Sequence, residues 1–105
     1  EVKIGMTMHH VGITLARDRL SNAAFQRSVI NAEMFNPQGA LVAGFLDRVV
    51  AADQLMPAAI EMAQELKKLN MTAHKNTKRK ARKALLDTMD QAIASDQLVS
   101  VTTQA

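Results

Sequence analysis

The segment NPQGALVAGFLDRVV, residues 36–50, decides the fold because it holds the clearest helix start and stop signals of the chain. Asn36 is a good N-cap, and Pro37 suits the first helical position, where its missing N–H costs nothing. The helix is expected to run through Val42 and to stop at Gly44, which can adopt the left-handed conformation common at helix ends. Residues 45–50 then predict a short strand or an extended segment.

The residues before this segment predict a turn and two helices. Residues 1–8 are partly β-branched and interrupted by Gly5, which favours the end of a strand leading into a turn. The spacing of apolar residues predicts a short helix over residues 10–20. Ser21 is a good N-cap for a second helix, with apolar residues recurring on one face at Phe25, Val29 and Ala32.

The residues after it predict two further helices and a tail. Asp53 is expected to cap a helix that ends near Asn70. Thr72 is expected to open a last long helix, and the residues from Leu98 onward have lost helical spacing. The expected fold class is therefore mainly α, with about five helices and at most two short strands.

The composition of the 105 residues excludes several classes of protein. There is no cysteine, so neither a disulfide framework nor a thiolate zinc site is available, which fits a cytoplasmic protein. No apolar run approaches the roughly 20 residues of a membrane span, and no leader segment opens the chain. His9 and His10 are adjacent and would point about 100° apart on a helix, and His74 is distant in sequence, so no metal site is predicted.

A basic block is the one part of the composition that suggests an anionic partner. Residues 67–83 include eight lysines or arginines and no acidic residue. On a helix, Lys75, Lys78, Arg79, Arg82 and Lys83 would fall within about 140° of one another. In the first turns of the predicted helix they would oppose the helix dipole unless an anion offsets them. A solvated face, a contact with coenzyme A phosphates and a nucleic-acid interface all stay open, although the lack of aromatic residues disfavours the last.

Taken together, the ordered motifs resemble the enoyl-CoA hydratase/isomerase (crotonase) family. The capped helix, glycine and valines of residues 36–50 are similar to a family pattern, and residues 53–55 resemble the entry into its next helix. Upstream, residues 1–6 (EVKIGM) resemble the family's glutamate-x-x-apolar-glycine-apolar turn, which precedes a helix ending in Arg-Leu, here Arg19-Leu20. The resemblance implies the C-terminal part of an α/β spiral fold.

This resemblance implies both a function and a set of site residues. It places Glu1 at a catalytic glutamate that transfers a proton at a carbon activated by a thioester, with acyl-CoA as substrate and no separate cofactor. It implies that coenzyme A phosphates are bound by Lys75, Lys78, Arg79 and Arg82. It also implies a homo-oligomer, either a trimer or a pair of trimers. Residues 1–105 would form one subdomain: the end of the spiral core and the following helices (1–50), the C-terminal helices (51–97) and a tail (98–105).

Departures from the family pattern keep one alternative open. His9, His10 and Gly12 stand where the family usually has a proline and small residues, and Gly39 stands where a polar residue is common. The family's oxyanion-binding amides would lie before Glu1, so we expect the 105 residues alone to be inactive. The alternative is a small helical interaction module whose basic helix binds nucleic acid or another polyanion. Neither the choice between hydratase and isomerase nor the acyl-chain length follows from these residues.

Overall fold

The computed structural model describes residues 1–104, with side chains described through Leu98. These residues form six α-helices and no β-strand, so the predicted mainly α fold class is confirmed. One turn of π-helix, Gln26–Ile30, continues the second helix, and two 3₁₀ turns occur at Val2–Ile4 and Ala52–Gln54. The helices are α1 (His10–Arg19), α2 (Asn22–Phe25), α3 (Pro37–Ala43), α4 (Leu55–Lys67), α5 (Met71–Ala81) and α6 (Lys83–Gln104).

The predicted caps of α2 and α3 are confirmed. The Ser21 hydroxyl accepts a hydrogen bond from the Ala24 N–H at 3.2 Å. The Asn36 side chain accepts one from the Gly39 N–H at 2.7 Å. Gly44 ends α3 with φ at 107°. These three residues act on backbone groups a few positions away, which is why local sequence signals sufficed to find them.

The buried core lies in the first half of the chain. Leu20, Ala24, Phe25 and Ala43 form it, and half-buried apolar side chains of α1 and of residues 29–35 pack around them. The helix α1 contacts α2 on one side and α6 on another. Ala92 is the buried apolar residue of α6. The fold therefore holds α1 between the core and the last helix.

Neither of the two short strands allowed for in the first half forms. Residues 2–4 form a 3₁₀ turn, and residues 45–50 are irregular, with bends at 45 and 47. A strand needs a neighbouring strand to pair its backbone groups, and the described residues provide none. The Phe45 N–H instead donates to the Ala40 carbonyl at 2.9 Å, which closes the end of α3. Ala32, expected on a helical face, lies beyond the π-turn with φ at 56°.

Several boundaries in the second half also differ from the prediction. Asp53 lies inside a 3₁₀ turn, and α4 begins at Leu55 without a side-chain cap. The helix expected from Thr72 begins one residue earlier, because the Asn70 side chain caps it by accepting from the Ala73 N–H at 3.0 Å. That helix breaks at Arg82 and is therefore two helices, α5 and α6.

The predicted tail is helical as far as the structure describes it. The backbone of α6 continues from Leu98 to Gln104, so the loss of helical structure expected there does not occur, and Ala105 lies outside the described residues. The division of the chain into parts at residue 50 stays a prediction.

The second half exposes an unusual amount of apolar surface. No residue of α4 is buried, and Leu55, Met56, Ile60 and Met62 are each at least half exposed. The accessible surface of 8464 Å² exceeds the roughly 5,800 Å² expected for a compact monomer of this mass. The radius of gyration of 17.3 Å likewise exceeds the expected value of about 13 Å. The exposed surface of α4 is thus of the kind that other protein surfaces cover.

Candidate active site

A cleft of about 650 Å³ lies beside the first helix. Its walls come from the 3₁₀ turn, from α1 and from residues 28–34. The lining is largely apolar, which suits an apolar ligand group. The larger apolar side chains that line it are Val2, Met8, Leu15, Val29, Met34 and Phe45.

Glu1 lines this cleft, and its own turn holds its backbone in place. Its carbonyl accepts hydrogen bonds from the Ile4 and Met6 N–H groups, both at 3.0 Å. Gly5 closes the turn with φ at 80°. The Glu1 side chain is exposed and makes no hydrogen bond or ion pair to residues 1–98. Its carboxylate is therefore free to meet a ligand in the cleft.

A second glutamate of this lining is engaged in an ion pair, and Asp18 lines the cleft as well. The Glu33 carboxylate accepts from Arg27 Nε at 2.8 Å. The Arg27 guanidinium also lies 5.9 Å from the centroid of the Phe35 ring, which fixes its position further. Of the two glutamates that line the cleft, Glu33 is paired with Arg27 and Glu1 is not, so mutation of each can be compared.

The N-terminus of α1 is capped by a residue from the other end of the chain. The Asp96 carboxylate of α6 accepts hydrogen bonds from the His10 and Val11 N–H groups, each at 2.9 Å. The pKa of Asp96 lies below its ordinary value of 3.8, mainly because its carboxylate accepts the hydrogen bond from the Val11 N–H. Partial burial opposes this shift, while the His10 N–H and the charges of His10 and His9 add to it. Sequence reasoning missed Asp96, because no local pattern links residues 85 and 86 positions apart.

Two side chains cover the bare backbone of Gly12 next to the cleft. A Cβ placed on Gly12 would lie 2.6 Å from Met8 Cε and 3.1 Å from His9 Cε1. Gly12 and Met8 both line the cleft. The segment between Glu1 and α1 therefore folds back onto α1, and Gly12 makes that contact possible.

The basic residues lie on a different surface from Glu1. Lys75, Lys78, Arg79 and Arg82 are exposed, and none forms an ion pair within the described side chains. Lys83, by contrast, pairs with Asp87 at 3.0 Å. None of these five basic residues lines the cleft beside Glu1.

One argument about the basic residues is corrected by the structure. They were expected in the first turns of a helix, where the dipole opposes cations. Since α5 ends at Ala81, Lys78, Arg79 and Lys80 lie in its last turn, where the dipole favours cations. Their placement is therefore stable without an anion, and a shallow depression of about 370 Å³ that includes His74 and Lys78 lies alongside them.

The part of the chain that the structure describes holds neither a metal-binding cluster nor a membrane-spanning helix. There, no three or more histidine or acidic side chains come together in a way that could hold a metal ion. Within the same residues, no helix has the length and apolarity to cross a bilayer.

Comparison with known proteins gives a consistent picture. The sequence pattern of a family described as enoyl-CoA hydratase/isomerase matches residues 1–105. An enoyl-CoA hydratase/isomerase family protein from Pseudomonas syringae is 64% identical, with a TM-score of 0.89 over 92% of this chain and 42% of that one.

Two mycobacterial structures are similar at lower identity. The enoyl-CoA hydratase EchA3 from Mycobacterium ulcerans Agy99 is 33% identical, with a TM-score of 0.88 over 93% of this chain and 43% of that one. An enoyl-CoA isomerase from M. tuberculosis is 32% identical, with the same TM-score and coverage. The chain thus spans less than half the length of these structures. Among curated proteins, none matches this chain.

Proposed function

Because the chain belongs to the enoyl-CoA hydratase/isomerase family, we propose that it is part of an acyl-CoA-processing enzyme in which Glu1 transfers the proton. The observation that carries this proposal is the free carboxylate of Glu1 on an apolar cleft of about 650 Å³. A carboxylate in that position can meet the activated carbons of a thioester, while the apolar walls accept the acyl chain.

In both hydration and isomerisation of an enoyl thioester, a carboxylate takes up a proton and gives it back. In hydration, a water adds across C2 and C3 of the enoyl thioester, and the carboxylate helps to deprotonate it. In isomerisation, the same carboxylate carries a proton between C2 and C4. Both routes build negative charge on the thioester oxygen, which requires preorganised N–H donors. We expect those donors outside residues 1–105, and therefore expect these residues alone to be inactive.

The matching test replaces Glu1 and uses Glu33 as its control. In the full-length protein, Glu1→Gln should lower kcat on 2-enoyl-CoA or 3-enoyl-CoA thioesters by about 10² to 10⁴. Glu33→Gln removes an equal charge from the same cleft but from a side chain already paired with Arg27, so kcat should change less than threefold. Equal effects of the two substitutions would contradict a catalytic role for Glu1. Incorporation of ¹⁸O from labelled water would separate hydration from isomerisation.

The exposed cations of α5 and its C-terminal end are proposed to bind the phosphates of coenzyme A. Lys75, Lys78, Arg79 and Arg82 are exposed and unpaired within the described side chains, which leaves them available to an anion. The double variant Lys78→Ala/Arg79→Ala should raise the Kd for coenzyme A about a hundredfold, since each of the two lost charged contacts costs about 1.5 kcal/mol. Its control is Lys83→Ala, which removes a cation already paired with Asp87.

Calorimetry with coenzyme A and with its 3′-dephospho form completes this test. If the cations bind the 3′-phosphate, the double variant should lose most of the preference for coenzyme A over the dephospho form. An unchanged Kd for both ligands would leave these residues as a solvated face. The interaction-module alternative is not favoured, because the family match extends over the whole chain.

Self-association through α4 is the third part of the proposal. The chain exposes about 2,700 Å² more than a compact monomer of its mass, an area large enough for contacts both with the rest of the protein and with a second copy. Sedimentation should show a homo-oligomer, and Ile60→Glu on α4 should dissociate it. Val42→Glu is the control, because Val42 is 85% exposed but lies on α3. A monodisperse monomer of the unmodified protein would contradict this. A cytoplasmic location, expected from the absence of cysteine, remains a prediction.

A further inference from the structure

The start of α1 does not provide its own cap. His9 is the N-cap residue, and its side chain makes no capping hydrogen bond. Asp96 supplies the missing acceptors with both carboxylate oxygens, Oδ1 to the His10 N–H and Oδ2 to the Val11 N–H. Because a helix start usually takes its cap from the residue at that position, a cap from α6 makes the placement of α1 depend on α6.

The segment from Glu1 to His10 transmits that placement to the cleft. The Glu1 carbonyl is hydrogen-bonded to the Met6 N–H, four residues before His10. Met8 and His9 then fold over Gly12 in the first turn of α1. A movement of the start of α1 would therefore shift Met8 in the cleft wall and pull on the turn that carries Glu1.

From this geometry we propose that Asp96 is a positioning residue for Glu1. Its carboxylate fastens the N-terminus of α1 to α6, and through residues 6–9 it fixes where the Glu1 carboxylate stands in the cleft. This inference rests on the proposed role of Glu1 in proton transfer. It adds that α6, none of whose described side chains lines the cleft, controls the geometry of that step.

The alternative is that Asp96 only stabilises the fold. The two roles differ in what they change. A stabilising cap alters the melting temperature but leaves kcat of the folded enzyme unchanged. A positioning residue lowers kcat with KM nearly constant, because misplacing a reacting group by about 1 Å can cost about a hundredfold in rate.

The test uses the full-length protein and four single variants with one double variant. Asp96→Asn keeps the shape but loses one acceptor and the charge, and Asp96→Glu keeps both acceptors one methylene further out. Asp90→Asn is the matched control, because Asp90 is an exposed aspartate of α6 that makes no hydrogen bond or ion pair within residues 1–98. Glu1→Gln, alone and combined with Asp96→Asn, tests whether Asp96 acts through Glu1.

The expected result is a kcat at least tenfold lower for Asp96→Asn, with KM within twofold of the unmodified protein and no effect of Asp90→Asn. In the Glu1→Gln background, Asp96→Asn should lower kcat less than twofold further, since the group it positions is already gone. Faster amide exchange of residues 6–11 should accompany the loss. If Asp96→Asn does not fold, Asp96→Glu should give the lower kcat with a melting temperature close to the original.

Three outcomes would overturn the inference. An unchanged kcat for Asp96→Asn, or a loss that adds in full to that of Glu1→Gln, would leave Asp96 as a structural cap while the proposed role of Glu1 stands. An unchanged kcat for Glu1→Gln would instead overturn the proposed function, and this inference with it. The Glu1→Gln variant alone thus tells the two failures apart.

Discussion

Gly44 at the end of α3 lies directly against the carbonyl oxygen of Arg19 at the end of α1, so that a Cβ on Gly44 would stand 2.8 Å from that oxygen. Other bonds join the same two helix ends. The Ser21 N–H donates to the Ala43 carbonyl at 3.4 Å, and Arg19 pairs with Asp47 at 2.7 Å. The close approach of the two backbones holds α3 against the core, and Gly44 permits it.

Gly44→Ala should therefore destabilise the protein by more than the cost of placing an alanine at a positive φ. The left-handed backbone costs a residue with a Cβ about 1–2 kcal/mol, and the contact with the Arg19 carbonyl adds to it because backbone cannot move aside cheaply. We expect a loss of about 3 kcal/mol in the free energy of unfolding, measured by urea denaturation. Gly5→Ala is the control, because Gly5 also has positive φ but meets nothing within 4 Å. Equal losses would show that the contact with Arg19 does not matter.

Ala32→Gly should instead stabilise the protein. Ala32 has φ at 56°, a conformation that costs an alanine about 1 kcal/mol or more. Glycine removes this strain but has a more flexible unfolded chain, so the net gain should be about 0.5 kcal/mol. Ala23→Gly is the control: it lies within the ordinary helix α2 and should lose about 1 kcal/mol. Thermal melting of both variants checks the contrast, and a loss at both positions would refute the strain at Ala32.

The features found from the sequence are those whose causes are local. Ser21, Asn36 and Gly44 act within one turn of helix, so their residue types alone predicted their positions. The cap by Asp96 escaped prediction because its partners lie 85 and 86 positions away. The break at Arg82 escaped because lysine, arginine and alanine around it are all good helix formers and give no stop signal.

The absence of the short strand that was one of two expectations for residues 45–50 has a different cause. Val49 and Val50 are β-branched and favour extended backbone, but a strand forms only where another strand pairs with it. The structure puts Glu1 on an apolar cleft, whereas no sequence pattern indicated Met8, Met34 or Phe45 as its walls. Those residues meet through tertiary packing, which spacing along one helix does not reveal.

Two asparagine caps should differ in their effect on stability although their geometry is alike. Asn36→Ala and Asn70→Ala each remove one acceptor of a helix N–H, worth about 1 kcal/mol to the helix. The helix α3 carries the buried Ala43, so its loss should appear in global unfolding. The helix α5 buries no residue, so Asn70→Ala should mainly fray it.

Urea denaturation together with amide hydrogen exchange separates the two caps. Asn36→Ala should lower the free energy of unfolding by about 1 kcal/mol. Asn70→Ala should leave it nearly unchanged while exchange of residues 71–77 speeds up. A global loss of the same size for Asn70→Ala would mean that α5 is coupled to the core more tightly than its exposed surface suggests.

The cap between Asp96 and α1 should also make stability depend on pH in a defined direction. The Val11 N–H, foremost, holds the pKa of Asp96 below 3.8 in the folded protein, and the neighbouring charges that face it are those of His9 and His10. A group whose pKa is lowered on folding stabilises the protein above its unfolded pKa, and this contribution is lost as pH falls through the folded pKa.

The unmodified protein should therefore be more stable than Asp96→Asn at pH 7 and pH 5, and the difference should shrink as pH falls below about 4. Urea midpoints at pH 7, 5, 4 and 3.5 measure this, with Asp90→Asn as the control whose difference from the unmodified protein should stay near zero throughout. High salt should reduce the part that comes from the histidine charges but not the part from the two N–H donors, which are in direct contact with the carboxylate. A difference that grows on acidification would mean that the protonated carboxyl is the better partner of α1, and the hydrogen-bonded carboxylate would then not be what holds this helix in place.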